Sequence, residues 1–169
     1  MNYDPIITAF AQLALDYCKW AEAQAGPPVK EHFLATNYVA KLYLAALELP
    51  ITDAEDELDA PAVADDVYKK IYKRFGELPF QYYWEIFHPV VEKPEEPVTG
   101  DVCDDLADIY RDLKVGLIYW DKGQRQNAVF HWKTSFGFHW GRHATSALRA
   151  LHCYGVDNDD ELDTYLTKS

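Results

Sequence analysis

The sequence predicts an all-α fold, and three observations carry that expectation. Apolar residues recur at steps of three and four through successive stretches of the chain. No segment alternates apolar and polar residues convincingly with the period of two that a half-buried strand requires. Prolines and glycines fall between the periodic stretches, where helices must stop. The architecture expected is a compact bundle of four to five long helices plus short ones, with up-and-down connections, as a single domain over residues 1–169.

The first helix is expected to start with Asp4 as N-cap and Pro5 at the first helical position, a pairing that satisfies orphan amides and pre-sets the backbone. Ile6, Phe10, Leu13, Tyr17 and Trp20 form its stripe, and Gly26 to Pro28 stop it. A second helix, from about Val29 to Leu49, carries Phe33, Leu34, Tyr38, Leu42 and Leu47 near one face and should pair with the first as a hairpin. Residues 51–61 hold five carboxylates and no apolar periodicity, which predicts a solvated acidic loop. Val63, Val67, Ile71 and Phe75 mark a third helix, closed by Gly76.

The aromatic stretch PFQYYWEIFHP, Pro79 to Pro89, is too short between its prolines for a long helix and is read as one or two helical turns over the core. A proline-punctuated crossing loop over residues 89–100 follows. Asp101 then stands as N-cap of the next helix, with Asp104 completing an acidic variant of the capping box. Val102, Leu106, Ile109, Leu113, Leu117 and Trp120 form its buried stripe, and Gly123 ends it. The last long helix is expected from about Gln126 to Tyr154, with Trp132, Phe136, Trp140, Ala144, Ala147 and Leu151 as its seam, before an acidic segment over 157–169.

The chain has 28 acidic and 16 basic residues, a formal charge of -12, so phosphate backbones and anionic lipid surfaces would be repelled. Nucleic-acid and membrane partners are therefore not expected. The one dense basic cluster, Lys69, Lys70, Lys73 and Arg74, lies toward a helix C-terminus, where cations complement the helix dipole. Cys18, Cys103 and Cys153 show no CxxC spacing, which fits reduced thiols in a cytoplasmic protein. Cys103 reads as a capping-turn residue, there being no adjacent base to activate it. The acidic start of the chain and the lack of a long apolar run argue against a signal peptide or a membrane span.

DDLADIYRDLKVGL, Asp104 to Leu117, followed by WKTSFGFHWGRHATSALRALH, Trp132 to His152, resembles a bacterial family known as domain of unknown function 5063. The stretches LYLAALELP and YYWEIFHP fit the same family, so the resemblance covers nearly the whole chain. It implies a compact all-helical bacterial protein and assigns no catalytic residue.

Chemistry concentrates in two places. His139 and His143 stand one helical turn apart and would project on nearly the same side. Asp101, Asp105, Asp108 and Asp112 fall at steps of three or four, along one flank of the preceding helix beside its buried seam. Like charges at that spacing need compensation, from a cation or from basic side chains of a neighbour. His139 and His143 with Asp105, Asp108 and Asp112 are thus a candidate divalent-metal site, although neither HExxH nor the Glu-x-x-His of di-iron bundles is present. The competing reading is a solvated aspartate stripe with the histidines hydrogen-bonded at the core edge.

A second candidate is a pocket built by Trp140, Gly141, Arg142, Arg111 and Arg149. Glycines at 137 and 141 inside a helix imply a close helix approach or a groove, and arginine forks suit carboxylate or phosphate. The stretch from Asp157 to Asp163 resembles half a calcium loop but lacks its glycine and its closing glutamate. With 12 tyrosines and 5 tryptophans, the leading function expected is a binding or regulatory module for a protein partner, plausibly basic, with no cofactor. The alternatives are a metal-dependent hydrolase with a His/Asp site between the last two long helices, and a self-associating helical protein. An enzyme requires those side chains to converge in a concave site, whereas an interaction module requires an exposed apolar patch.

Overall fold

The computed structural model describes residues 3–55, 61–90, 93 and 95–158. Six helices and one two-stranded sheet make up the described residues: α1 Asp4–Glu22, α2 Pro28–Glu48, α3 Asp65–Phe75, β1 Tyr82–Glu85, β2 Val98–Asp101, α4 Val102–Asp121, α5 Arg125–Phe138 and α6 Trp140–Asp157. The architecture is mostly α, as the sequence predicts. No helix of the described residues is long and apolar enough to cross a membrane.

α4 is the central element and packs against α1, α3, α5 and α6. Its predicted stripe is buried at Val102, Leu106, Ile109, Leu113 and Leu117, and Asp101 caps it by accepting from the N–H groups of Cys103 and Asp104. Gly123 closes it at φ 77, a backbone conformation that glycine adopts without a Cβ penalty. α1 buries Phe10, Tyr17 and Trp20 from the predicted stripe, but it begins at Asp4 itself, with Tyr3 rather than Asp4 in the capping position.

The inward face of α2 is rotated from the predicted one. Ala35, Val39, Leu42 and Ala46 are buried while Leu47 is exposed, because small residues let α2 lie close to its neighbours and the larger side chains are left at the flanks. Glu31, at the start of α2, is buried too. It accepts from Trp20 Nε1 at 2.9 Å and pairs with Arg74 Nη2 at 2.7 Å, joining α1, α2 and α3. Arg74 lies over the Trp20 ring at 4.7 Å, so this member of the basic cluster is a tertiary partner and not simply a complement to the helix dipole.

Two expectations are corrected. Within Pro79 to Pro89 the chain forms β1 and not helical turns; β1 pairs antiparallel with β2, with Tyr83 opposite Gly100. Four residues are too few to establish a period, and the partner strand lies beyond the proline-rich loop, so neither strand is legible locally. The last helix is broken at His139, whose backbone (φ -137, ψ -86) belongs to no helix. Gly141 explains the tightness of the break: a Cβ there would lie 2.3 Å from the Phe136 carbonyl oxygen. The seam nevertheless survives, since Trp132, Trp140, Ala144, Ala147 and Leu151 are all buried.

Of the acidic stretch, residues 51–55 are held against α5, where Glu55 N donates to Asn127 Oδ1 at 2.8 Å and Gln126 Nε2 donates to Asp53 O at 3.0 Å. Residues 56–60 lie outside the described residues, as do the half calcium loop beyond Asn158 and the remainder of the acidic C-terminal segment. All three cysteines are free. Burial is the main cause pushing the Cys103 thiol up to about 12, which disfavours its thiolate.

The closest glycine-mediated helix approach is between α4 and α5. A Cβ on Gly116 would lie 1.9 Å from Trp132 Nε1, which donates to Leu113 O at 3.1 Å. Gly116→Ala is expected to displace the indole and cost about 1–3 kcal/mol, read as a lower midpoint in urea unfolding. An unchanged midpoint would show that Trp132 can be rehoused without loss.

Candidate functional site

The flank of α4 that carries Asp105, Asp108 and Asp112 faces the break between α5 and α6, and all five residues of the predicted metal set meet there. The aspartates are not a solvated stripe: Asp105 is 5% and Asp108 7% exposed. His143 Nδ1 donates to Asp105 Oδ1 at 2.8 Å, and His139 Nδ1 donates to Asp112 Oδ2 at 2.8 Å. An ionised carboxylate can only accept, so each of these bonds fixes a proton on Nδ1 and turns Nε2 the other way. Both Nε2 atoms turn toward the same carboxylate oxygen, Asp108 Oδ2, at 3.3 Å from His143 and 3.9 Å from His139.

One ligand atom each from Asp108, His139 and His143 therefore lies within 4.8 Å of the others. Arg111 Nη2 holds the second oxygen of Asp108, Oδ1, at 2.6 Å, which orients Oδ2 toward the histidines. The break at His139 is what creates the cluster. The two imidazoles stand edge to face with centroids 4.8 Å apart, His139 entering from the turn and His143 from the first coil of α6.

Two groups here are shifted by their surroundings. Burial raises the Asp105 carboxyl above the ordinary carboxylate range, against the lowering effect of its bonds from His143 and Tyr83. Burial works against a charged His143, but the bond to Asp105 and the fields of Asp105, Asp108 and Asp104 outweigh it, and its pKa is raised. A metal ion at His143 Nε2 would have to displace that proton.

The small sheet completes the site from the other side. The Tyr83 ring lies flat over Gly100, where a Cβ would approach it to 2.4 Å, and its hydroxyl donates to Asp105 Oδ2 at 2.6 Å. Two residues along the strand, Glu85 accepts a short hydrogen bond from the Ser146 hydroxyl of α6. Tyr83, Glu85 and Ser146 were not among the predicted site residues. The only trace of Tyr83 and Glu85 in the sequence is the alternation of β1, in which they turn inward while Tyr82 and Trp84 turn out, and Ser146 of α6 has no local signal.

β1, β2 and α6 enclose a cavity of about 630 Å³, with His139 and His143 in its wall. Of the predicted pocket residues, Arg142 and Arg149 line this cavity. Trp140 and Gly141 do not: the Trp140 ring is fully buried against Phe136, at 4.8 Å, and Gly141 is the tight turn itself. Arg111 is engaged with Asp108 and lies over the Tyr68 ring at 5.0 Å.

A family model described as domain of unknown function, DUF5063, matches residues 1–157. Among solved structures, the crystal structure of protein BF1032 from Bacteroides fragilis is similar to this chain, with a TM-score of 0.76 and 22% sequence identity over 89% of this chain and 92% of that one. That likeness establishes a shared fold. No curated protein matches the chain.

Proposed function

The chain belongs to the DUF5063 family, whose description names no activity, and from its own geometry we propose that it is a metal-dependent hydrolase with a mononuclear centre held by Asp108, His139 and His143. The observation that carries this reading is the convergence of two Nε2 atoms and one carboxylate oxygen, with each histidine anchored at Nδ1 by a further aspartate. Metal-binding histidines generally donate their other ring N–H to a carboxylate in this way, which fixes the ring and raises its basicity. Three protein ligands beside a cavity leave a coordination position for water, as in catalytic rather than structural zinc sites.

A divalent ion held by Asp108, His139 and His143 would lower the pKa of a bound water toward neutrality and so supply a hydroxide-like nucleophile for an acyl or phosphoryl group in the cavity. Two nitrogens and one oxygen suit zinc, iron or manganese better than magnesium or calcium.

The test is elemental analysis of untagged protein together with titration of zinc, manganese and iron(II) into stripped wild type and into His139→Ala/His143→Ala. Binding near one ion per chain that disappears in the double variant is the expected result. Wild type that neither retains nor binds any of these metals would overturn the reading. The alternative of a protein-interaction module would then lead, on the strength of the exposed aromatic side chains Trp84 and Phe138, 75% and 82% accessible.

A further inference from the structure

The cavity beside the metal cluster has an imbalance of partners that points to its ligand. Four carboxylates stand in its wall, and each is already satisfied. Asp101 caps α4 and accepts from the Tyr72 hydroxyl at 2.7 Å, and Asp104 accepts from Tyr68 at 2.8 Å. Asp105 is held by Tyr83 and His143, and Glu85 by Ser146.

The two arginines of the same cavity are different. Arg142 donates from Nη2 to the Phe87 carbonyl at 3.3 Å, and among the described residues neither Arg142 nor Arg149 meets a carboxylate. Both are exposed, and they share the cavity with carboxylates whose hydrogen bonds are already made. Positions 142, 146 and 149 follow steps of four and three, so both arginines lie on the face of α6 that also presents Ser146, with His143 beside them. The cavity is also lined by the exposed apolar side chains of Phe87, whose carbonyl accepts from Arg142, and Phe138.

We propose that this cavity binds a small organic oxyanion, a phosphate or carboxylate carried on an aryl or alkyl body. The anionic end lies on Arg142 and Arg149, and the body lies against Phe87 and Phe138. Guanidinium forks match the paired oxygens of both anions, and the exposed rings supply the area that an inorganic ion could not use. The inference rests on the hydrolase reading for its role as substrate recognition, since it places the ligand next to His139 and His143. The arginine-dependent binding itself does not need the metal.

Calorimetric titration at low ionic strength tests it with four probes: phenyl phosphate, benzoate, inorganic phosphate and phenol. Each is titrated into metal-stripped and metal-loaded protein of wild type, Arg142→Met, Arg149→Met and His139→Ala/His143→Ala. Phenyl phosphate or benzoate should bind wild type at least about tenfold more tightly than inorganic phosphate or phenol, and the tighter of the two identifies the anion class. Either arginine variant should lose about tenfold, with unchanged circular dichroism and melting temperature showing that it folds. Residual arginine-dependent binding in the histidine double variant supports the proposal even if no metal binds.

Anion binding that is equal in wild type and both arginine variants, or no anion binding in either metal state, overturns the proposal while leaving the metal centre standing. Tighter binding of benzylamine than of any anionic probe would also overturn it, by showing that the acidic wall governs recognition.

Discussion

Asp108→Asn is expected to weaken binding of a divalent metal by about 100-fold or more, equivalent to about 2.7 kcal/mol. Asp108 is the residue both histidines share: its Oδ2 stands 3.3 Å from His143 Nε2 and 3.9 Å from His139 Nε2. The amide keeps the shape of the side chain but removes the charge, and its NH2 can present no lone pair to a metal. Asp112→Asn is the informative comparison, because Asp112 holds the far nitrogen of His139 and contributes no ligand atom of its own. It should cost about 10–100-fold, as is usual for the outer partner of a metal-bound imidazole.

The same variants separate binding from folding. Metal at 100 times its dissociation constant stabilises wild type by about 2.7 kcal/mol, so stripped and loaded wild type should melt at different temperatures. Asp108→Asn should erase that difference. A metal-induced rise in melting temperature of wild-type size in Asp108→Asn would show that the ion sits elsewhere, and the centre proposed between α4 and α6 would be wrong.

Glu31→Ala should be the most damaging single substitution for stability, at about 3–5 kcal/mol. The side chain is 2% exposed and serves three donors: Trp20 Nε1 at 2.9 Å, Gly26 N at 2.7 Å and Arg74 Nη2 at 2.7 Å. Removing it leaves a largely buried guanidinium over the Trp20 ring without its carboxylate. The effect should appear as a drop in the urea midpoint with little change in slope. Glu31→Ala/Arg74→Met, which removes both charges and restores apolar volume, should recover much of the loss. A single variant within about 0.5 kcal/mol of wild type would show that water reaches the pair and that the three-helix junction does not depend on it.

The helices were legible because their causes are local. Asp101 and Gly123 bracket α4 through bonds and backbone angles that involve only neighbouring residues, and the 3.6-residue period of Leu106, Ile109 and Leu113 is written directly in the chain. The seam of Trp132, Trp140, Ala144 and Leu151 was legible even though the helix carrying it is broken, since burial is set by residue type and spacing more than by helical continuity. The residues that meet at the break between α5 and α6 were also readable as a list: aspartates at steps of three and four repel, and that repulsion asks for a positive partner.

What the sequence could not express was convergence. His139 and His143 were placed one turn apart on a single helix, whereas the chain breaks at His139 and brings its imidazole in from a turn that Gly141 makes tight enough. Tyr83 reaches Asp105 only because β1 pairs with a strand beyond the proline-rich loop and its ring finds Gly100 beneath it. Arg74, one of four neighbouring basic residues, is singled out by Glu31, 43 positions earlier.

The sequence by itself thus determined the long helical stretches, though not the strand within Pro79 to Pro89 or the break at His139, and which residue types could bind a cation, because propensity, capping and periodicity act over a few residues. Only the tertiary structure decided which nitrogens face which oxygen, which arginines line the cavity and where it opens. Those depend on the relative placement of α4, α6 and the small sheet, which is fixed by packing between residues distant in the chain.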